Sequence, residues 1–397
     1  MNYLYEGVKV AILSSAICAP TLAQAQEVNL RSADGGINLI GDLIEFANNV
    51  YLISSSVGTL RVDGDIVECL GSACPSNAQS EDTIVTWNVS LWGKRRAFTE
   101  HVEKLAAVVA EKTEGKFTLN ISYGGLSDSR ENLDGISAGS FEMAQFCAGY
   151  HAHKNHAITV LELPFLGVDS LEQEIEVSRA VYEHPATQAE MANWNATLLM
   201  PSPLPQYNLI GTGIPPTSLA DFSGMPVRAT GGIGEALGSL GALLVPVPAP
   251  DVEQFMDADV IRAVSFAPHA HMSFNTIENA TWWTTNLNPG TVNCPVVVNS
   301  DALENLPESH RAALMESVDE ALDHYVEHYN GATMDAWSPA LQERGIMELT
   351  INEGIVGDIN EAVAEPAAAN WIAENTQRGL PARELYELVI SVIEGNS

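Results

Sequence analysis

The sequence predicts an α/β protein of more than one compact unit, preceded by a small all-β module. Three observations carry that prediction. At 397 residues the chain exceeds what one hydrophobic core usually serves. From Thr83 onward, apolar strand-like runs alternate with helical patterns, the arrangement that builds sheets flanked by helices. Ahead of that point the chain reads as strands and turns alone.

Taken in order, residues 1–25 carry Lys9, the apolar run VAILSSAICAPTLA and the small-x-small triplet Ala23-Gln24-Ala25. These are the parts of a secretory signal peptide, with cleavage expected after Ala25 and export to the periplasm. The run falls short of the roughly 20 apolar residues of a membrane span. No later stretch reaches that length, so direct membrane insertion is not expected. Residues 26–75 contain INLIGDLIEF, NNVYLISSSVGTLRV and DIVECLG, β-rich runs broken by DGG, NN and DG turns. Cys69 and Cys74, in ECLGSACP, are spaced for a short-loop disulfide, which would support so small a core. The polar stretch SNAQSED, residues 76–82, reads as a linker.

Beyond it, TIVTWNV is a buried strand. Phe98, Val102, Leu105 and Val109 then recur at helical spacing until Gly115 stops the helix. KFTLNISYGG alternates as a strand, a helix is expected around 129–139, and EMAQFC is a further strand. PVRA and LLVPVP are strand-like, with the helix GGIGEALGSLG between them, and VNCPVVVNS is another strand. A long helix follows, with Leu314, Val318, Leu322 and Tyr325 along one stripe and Pro307 near its start. Such β-α-β repetition predicts a mostly parallel sheet, whose ligands bind beyond the carboxyl ends of its strands.

Charge narrows the partners. With 18 Lys+Arg against 51 Asp+Glu, a net charge of −33, the chain lacks the clustered cations that nucleic acid or anionic lipid requires. No nucleophile elbow, HExxH, P-loop or CxxC pair occurs, so no catalytic residue, cofactor or metal is expected. The glycines after Thr230 run GxGxxxG, which is not the dinucleotide spacing. The pairs His151/His153 and His269/His271 lack a convincing carboxylate partner for a metal. Cys147 and Cys294 lie far apart in two apolar stretches; each reads as a buried thiol, with a place in a ligand pocket as the alternative. Trp87, Trp92 and the pair Trp282-Trp283 read as core residues, those at strand ends having the alternative of sandwiching a ligand.

One basic residue stands apart. In DFSGMPVRATGG, residues 221–232, Arg228 ends a strand between a small-residue turn and two glycines. A guanidinium is a planar fork that matches a carboxylate bidentately. The adjacent helix N-terminus also favours negative charge. Arg228 is therefore the expected anchor of a small organic anion.

Several stretches resemble the solute-binding proteins of tripartite ATP-independent periplasmic (TRAP) transporters, of the C4-dicarboxylate-binding (DctP) type. They are EKTEGKFTLNISYGG, GISAGSFEMAQFCAGYH, LELPFL, SLADFSGMPVRATGG, LGALLVPVPAPDVEQFM and VVVNSDALENLPESHRAAL. Residues 26–75 lie outside the resemblance. It implies a two-lobed periplasmic binding protein fold with strand exchange between lobes and a long connecting helix. Lobe I would comprise residues 83–206 with about 291–330, and lobe II residues 207–290 with about 331–397. The implied function is an extracytoplasmic receptor that hands a carboxylate to the small and large permease subunits, not an enzyme. An isomerase or lyase using the same cleft, or a ligand-occupancy sensor, is the alternative.

By the same resemblance the carboxylate-binding arginine falls on Arg228, and other pocket positions on Asn88, Cys147, Gly231 and Asn208, where many members carry a second arginine. A position where Asn is frequent holds Phe266, near Trp92 and His269. These departures imply a ligand with one carboxylate and an apolar, aromatic or cationic remainder.

Overall fold

The computed structural model describes residues 27–32, 36–47, 50–70, 74 and 83–395. The expected signal peptide and the linker at 76–82 lie outside the described residues. The chain divides into two compact units, residues 1–77 and 78–397.

The first unit is an antiparallel sheet. Its strands are β1 (Glu27–Arg31), β2 (Asn38–Ala47), β3 (Val50–Ser55), β4 (Gly58–Asp63) and β5 (Glu68–Leu70), arranged β4-β3-β2-β1-β5. Period-2 patterning selects its buried face: Val28 and Leu30 of β1 pack with Tyr51 and Ile53 of β3 and Val62 of β4. The β3–β4 hairpin turns at Ser56-Val57, and Gly58, which opens β4 just after, has φ +115°, a conformation open to glycine. Cys69 and Cys74 are disulfide-bonded, with Cα atoms 5.7 Å apart. β1 is a strand that the sequence reading did not single out.

The second unit adds eleven strands among the described residues. They are β6 (Val85–Leu91), β7 (Phe117–Tyr123), β8 (Met143–Gln145), β9 (Ala196–Met200), β10 (Asn208–Gly211), β11 (Pro226–Arg228), β12 (Leu243–Leu244), β13 (Ala263–Phe266), β14 (Trp282–Thr284), β15 (Val296–Asn299) and β16 (Met347–Leu349). They form two sheets, β7-β6-β8-β15-β9 and β12-β11-β13-β10-β14-β16. The chain leaves the first sheet by β9 and returns to it by β15, so neither lobe is one continuous segment. The sheets are mixed, not mostly parallel. β6, β7 and β8 run parallel, but β15 pairs antiparallel with both β8 and β9, because β15 arrives after the chain has crossed from the second sheet.

Alternation along β15 shows how the first sheet is buried. Val296 and Val298 face the helix Glu100–Lys112 and the stripe Leu314, Val318 and Leu322, while Val297 faces the opposite layer with Val177 and Val181. That stripe belongs to successive helices, Glu308–Glu316 and Val318–His328, followed by a π-turn, Tyr329–Thr333, and the helix Met334–Arg344. Leu322 packs in the first lobe, whereas Trp337 and Leu341 pack in the second. A 25-residue helix, Glu353–Gln377, also reaches both, burying Ile359 in the second lobe and Ala368 in the first. Here the structure departs from the expected assignment of 331–397 to lobe II. The helix Ala382–Ile393 packs Leu385 and Val389 against Val177 and Val181, because its apolar face has the first lobe's helices, not the second sheet, beside it.

Candidate functional site

Where the carboxyl ends of β6 and β8 meet those of β11 and β13, side chains from both lobes enclose a cavity. Its lining includes Trp92, Arg96, Phe98, Cys147, Tyr150, Glu162, Tyr207, Arg228, Phe266, His269, Phe274 and Cys294. The free volume is about 30 Å³, room for about two waters. An organic acid therefore enters only when the lobes part.

Arg228 is the last residue of β11 and is 2% exposed. Its Nε donates to Val247 O at 3.1 Å and its Nη2 to Tyr150 Oη at 3.0 Å. The guanidinium lies over the Phe266 ring, 4.4 Å from its centroid. No carboxylate among the described residues forms an ion pair with it, despite the excess of acids in the chain. The Tyr150 hydroxyl also accepts from Ala249 N at 3.1 Å, so its own proton is left to donate elsewhere. Burying a guanidinium without a counter-ion is costly, and this arrangement keeps N–H groups of Arg228 available for an acceptor that comes from outside.

A second arginine faces the same cavity. Arg96 is 6% exposed, with Nη1 donating to Trp92 O (3.0 Å) and Lys94 O (2.8 Å). Its guanidinium sits 4.3 Å from the Trp92 ring centroid, 5.2 Å from that of Phe98 and 5.4 Å from that of Phe274. Burial pulls its pKa down to about 10, which still leaves it charged at neutral pH. Around it the rings are layered: Trp92 and Phe274 are near-parallel at 6.4 Å, as are Phe98 and His269 at 5.6 Å. His269 Nδ1 is hydrogen-bonded to Tyr329 Oη at 2.9 Å, and burial pushes its pKa well below the usual histidine range, keeping it neutral.

Trp92, Cys147, Arg228, Phe266 and His269 thus come together in the lining. Three expected residues do not. Asn88 is exposed, because β6 turns Trp87 and Val89 inward and the intervening residue outward; its N–H donates to Glu142 Oε2 and its Oδ1 accepts from Asn120. Asn208 is buried but its amide is consumed. Oδ1 accepts from Thr284 Oγ1, Leu287 N and Asn288 N, and Nδ2 donates to Asn288 Oδ1, fastening the loop after β14. Gly231 opens the helix Gly231–Ser239 at φ +58° and lies against Glu162, with Thr230 taking the place in the cavity wall. Cys147 and Cys294 are not separate thiols: they form a disulfide in that wall, because Phe146 N–H bonds Pro295 O and Ala148 N–H bonds Asn293 O, setting the cysteines opposite each other. Trp87 and Trp282 are core residues, and the Trp282 indole donates to Thr212 O.

Two buried acids stand beside this wall. Glu162 Oε1 accepts from Gly149 N and Asn293 N, both at 3.1 Å, and Glu174 accepts from Asn293 Nδ2 at 3.3 Å. Burial pushes Glu162 up to about 7 and Glu174 up to about 8. Folded-state values above the unfolded range mean that the stabilisation is complete below about pH 4 and lost as pH rises through 7 to 8. The melting temperature is therefore expected to fall between pH 5 and 8. Glu174→Gln is expected to flatten that fall by an amount on the order of 2 kcal/mol. Calorimetric melts at both pH values check this; an unaltered pH slope in the variant would count against it.

Two α/β lobes, crossed by strands and helices and closing a cationic, aromatic cavity between them, define a two-lobed solute-binding protein. The chain belongs to bacterial extracellular solute-binding protein family 7 (DctP), whose sequence profile matches residues 89–369. Among curated proteins it is similar to the outer membrane transporter protein TsaT of Comamonas testosteroni. The two are 21% identical over 321 residues, 80% of this chain and 93% of the relative. Solved structures share the fold. One is a marine metagenome TRAP solute binding protein, from an unidentified microbe, specific for aromatic acid ligands and in complex with 3-hydroxybenzoate. It has TM-score 0.72 and 19% identity, covering 79% of this chain and 99% of that one. Another is a Bordetella pertussis extracytoplasmic solute receptor binding pyroglutamic acid (TM-score 0.68, 17% identity, 78% and 99% covered). A third is a Roseobacter denitrificans TRAP periplasmic solute binding protein with bound β-D-glucuronate (TM-score 0.68, 20% identity, 77% and 99% covered).

Proposed function

We propose that this protein is the periplasmic receptor of a TRAP transporter, capturing a small organic carboxylate between its lobes and delivering it to the membrane permease. Arg228 carries the reading: a buried guanidinium, backed by Phe266 and Tyr150, that lacks an acid partner among the described residues. Its free N–H groups and the Tyr150 hydroxyl receive the carboxylate. The ligands named for the three similar structures are all carboxylic acids, which agrees with this role. Closure around the ligand adds contacts from the lobe opposite Arg228 and so shifts the open–closed equilibrium. Export follows from the expected signal peptide, with cleavage after Ala25.

Native mass spectrometry of gently purified protein is the test. The expected result is one organic acid bound per chain, recovered chemically unchanged after hours of incubation. Conversion of that acid to another product would replace the receptor by an enzyme. A bound molecule without a carboxylate would remove the role of Arg228.

A further inference from the structure

Arg96 is not explained by a structural role alone. One of its nitrogens, Nη1, serves the carbonyls of Trp92 and Lys94. Nε and Nη2 are buried and find no acceptor among the described residues, and neither does the buried indole Nε1 of Trp92, itself 6% exposed. All of these side chains line the cavity that holds Arg228. Buried donors are normally satisfied, and those on a charged group most of all. The neighbouring basic residue behaves in the ordinary way, since Arg95 forms a salt bridge with Glu103. In a chain with 51 Asp+Glu, a cationic fork that pairs with no acid among the described residues, inside a ligand cavity, marks a place for an acceptor that comes from outside. The two arginines also stand on different rings, Arg228 over Phe266 and Arg96 over Trp92, Phe98 and Phe274. Their idle donors thus reach one cavity from different ring surfaces, and those rings supply its flat apolar walls.

We propose that Arg96, through Nε and Nη2, and Trp92, through Nε1, form a second anion-binding subsite, so that the ligand is a planar-bodied organic acid with an anionic group at each end. One carboxylate rests on Arg228, and the far group on Arg96 and Trp92. This deepens the receptor reading and depends on it. It also removes the cationic remainder that the sequence left open, because Arg96 would repel one. The loss of arginine at Asn208 is made good from the other lobe, out of the loop ahead of the helix Glu100–Lys112.

Isothermal titration of ligand-stripped, full-length mature protein tests the assignment, with benzoate, benzene-1,3-dicarboxylate and benzene-1,4-dicarboxylate as probes. Wild type is expected to bind one of the diacids at least about tenfold more tightly than benzoate, the gain of one buried charged pair. Arg96→Met is expected to lower diacid affinity at least about tenfold more than benzoate affinity. Trp92→Phe, which keeps the ring and removes only the indole N–H, is expected to cause a smaller loss of the same kind. Should Arg96→Met fail to fold, the wild-type preference and Trp92→Phe decide alone. Benzoate binding as tightly as both diacids would overturn the second subsite. So would equal losses for benzoate and diacid in Arg96→Met, since both arginines would then grip one carboxylate. Absence of saturable binding by all three would overturn the planar diacid class. Benzoate binding that disappears in Arg228→Met upholds the receptor reading whichever way the diacids behave.

Discussion

Arg228→Ala is expected to abolish measurable ligand capture while leaving the apo protein folded. Among the described residues the guanidinium closes no salt bridge, so its removal costs the fold two hydrogen bonds there, to Val247 O and Tyr150 Oη, and the stacking on Phe266. The bound state loses far more. Removing one partner of a buried, hydrogen-bonded charge pair costs roughly 2–5 kcal/mol, because the other charge stays behind without compensation. That corresponds to about 30- to 5,000-fold in affinity. The same argument makes Arg228→Lys an imperfect rescue, since an ammonium cannot present the planar fork. The measurement is the shift in melting temperature on adding the acid recovered from the wild-type protein. The wild type should shift by several degrees and Arg228→Ala by none; a variant with near-normal affinity would refute the assignment.

The second large effect is expected from the paired variant Cys147→Ala/Cys294→Ala. The disulfide joins residues 147 apart in sequence, spanning the chain's first excursion into the second sheet, β10 to β14, and its return. Closing a loop of that length restricts the unfolded chain by about 5 kcal/mol in the entropic account. For a unit of this size the loss translates into a fall in melting temperature on the order of 5–10 °C. Replacing both cysteines avoids leaving a reactive thiol in the cavity wall. Calorimetry of the variant against non-reduced wild type reads the effect directly. A fall of less than about 2 °C would mean that packing around Pro295 and Phe146, and not the covalent link, holds these strands together.

The elements that the sequence makes legible are those whose signal is local. Phe98, Val102, Leu105 and Val109 mark a helix by spacing, and the helix runs Glu100–Lys112. Arg228 stands out because its neighbours are small and because the matching segment places a strand end there. What remained hidden depends on where chains meet. The run Lys94-Arg95-Arg96 looks like an ordinary charged turn, yet Arg95 bonds Glu103 at the surface while Arg96 folds inward among three rings. No pattern within six residues separates the two. Matching motifs carried Asn88 and Asn208 to pocket positions because they transfer residue identity, whereas the pleat of β6 and the turn after β14 decide which way an amide points. The pairing of Cys147 with Cys294 required β15 to lie antiparallel beside β8, a return crossing that a reading of successive β-α-β units does not foresee. The mixed sheets have the same origin. Tyr150 lies within the matching segment GISAGSFEMAQFCAGYH, but a tyrosine in sequence gives no sign of the hydroxyl it will share with a distant arginine.

The two glycines that follow Arg228 touch a point where the halves of the receptor shut. A methyl group at Gly232 would stand 2.1 Å from the carbonyl oxygen of Glu162, and one at Gly231 would stand 2.2 Å from its side-chain Oε2. Glu162 packs with the first lobe, whereas the helix that these glycines begin packs with the second. Bare backbone is thus the gasket between them. Alanine at Gly232 would act as a shim, propping the jaws ajar so that solvent keeps access to the captive molecule, and the receptor would let go sooner even though each group that grips its cargo is still in place.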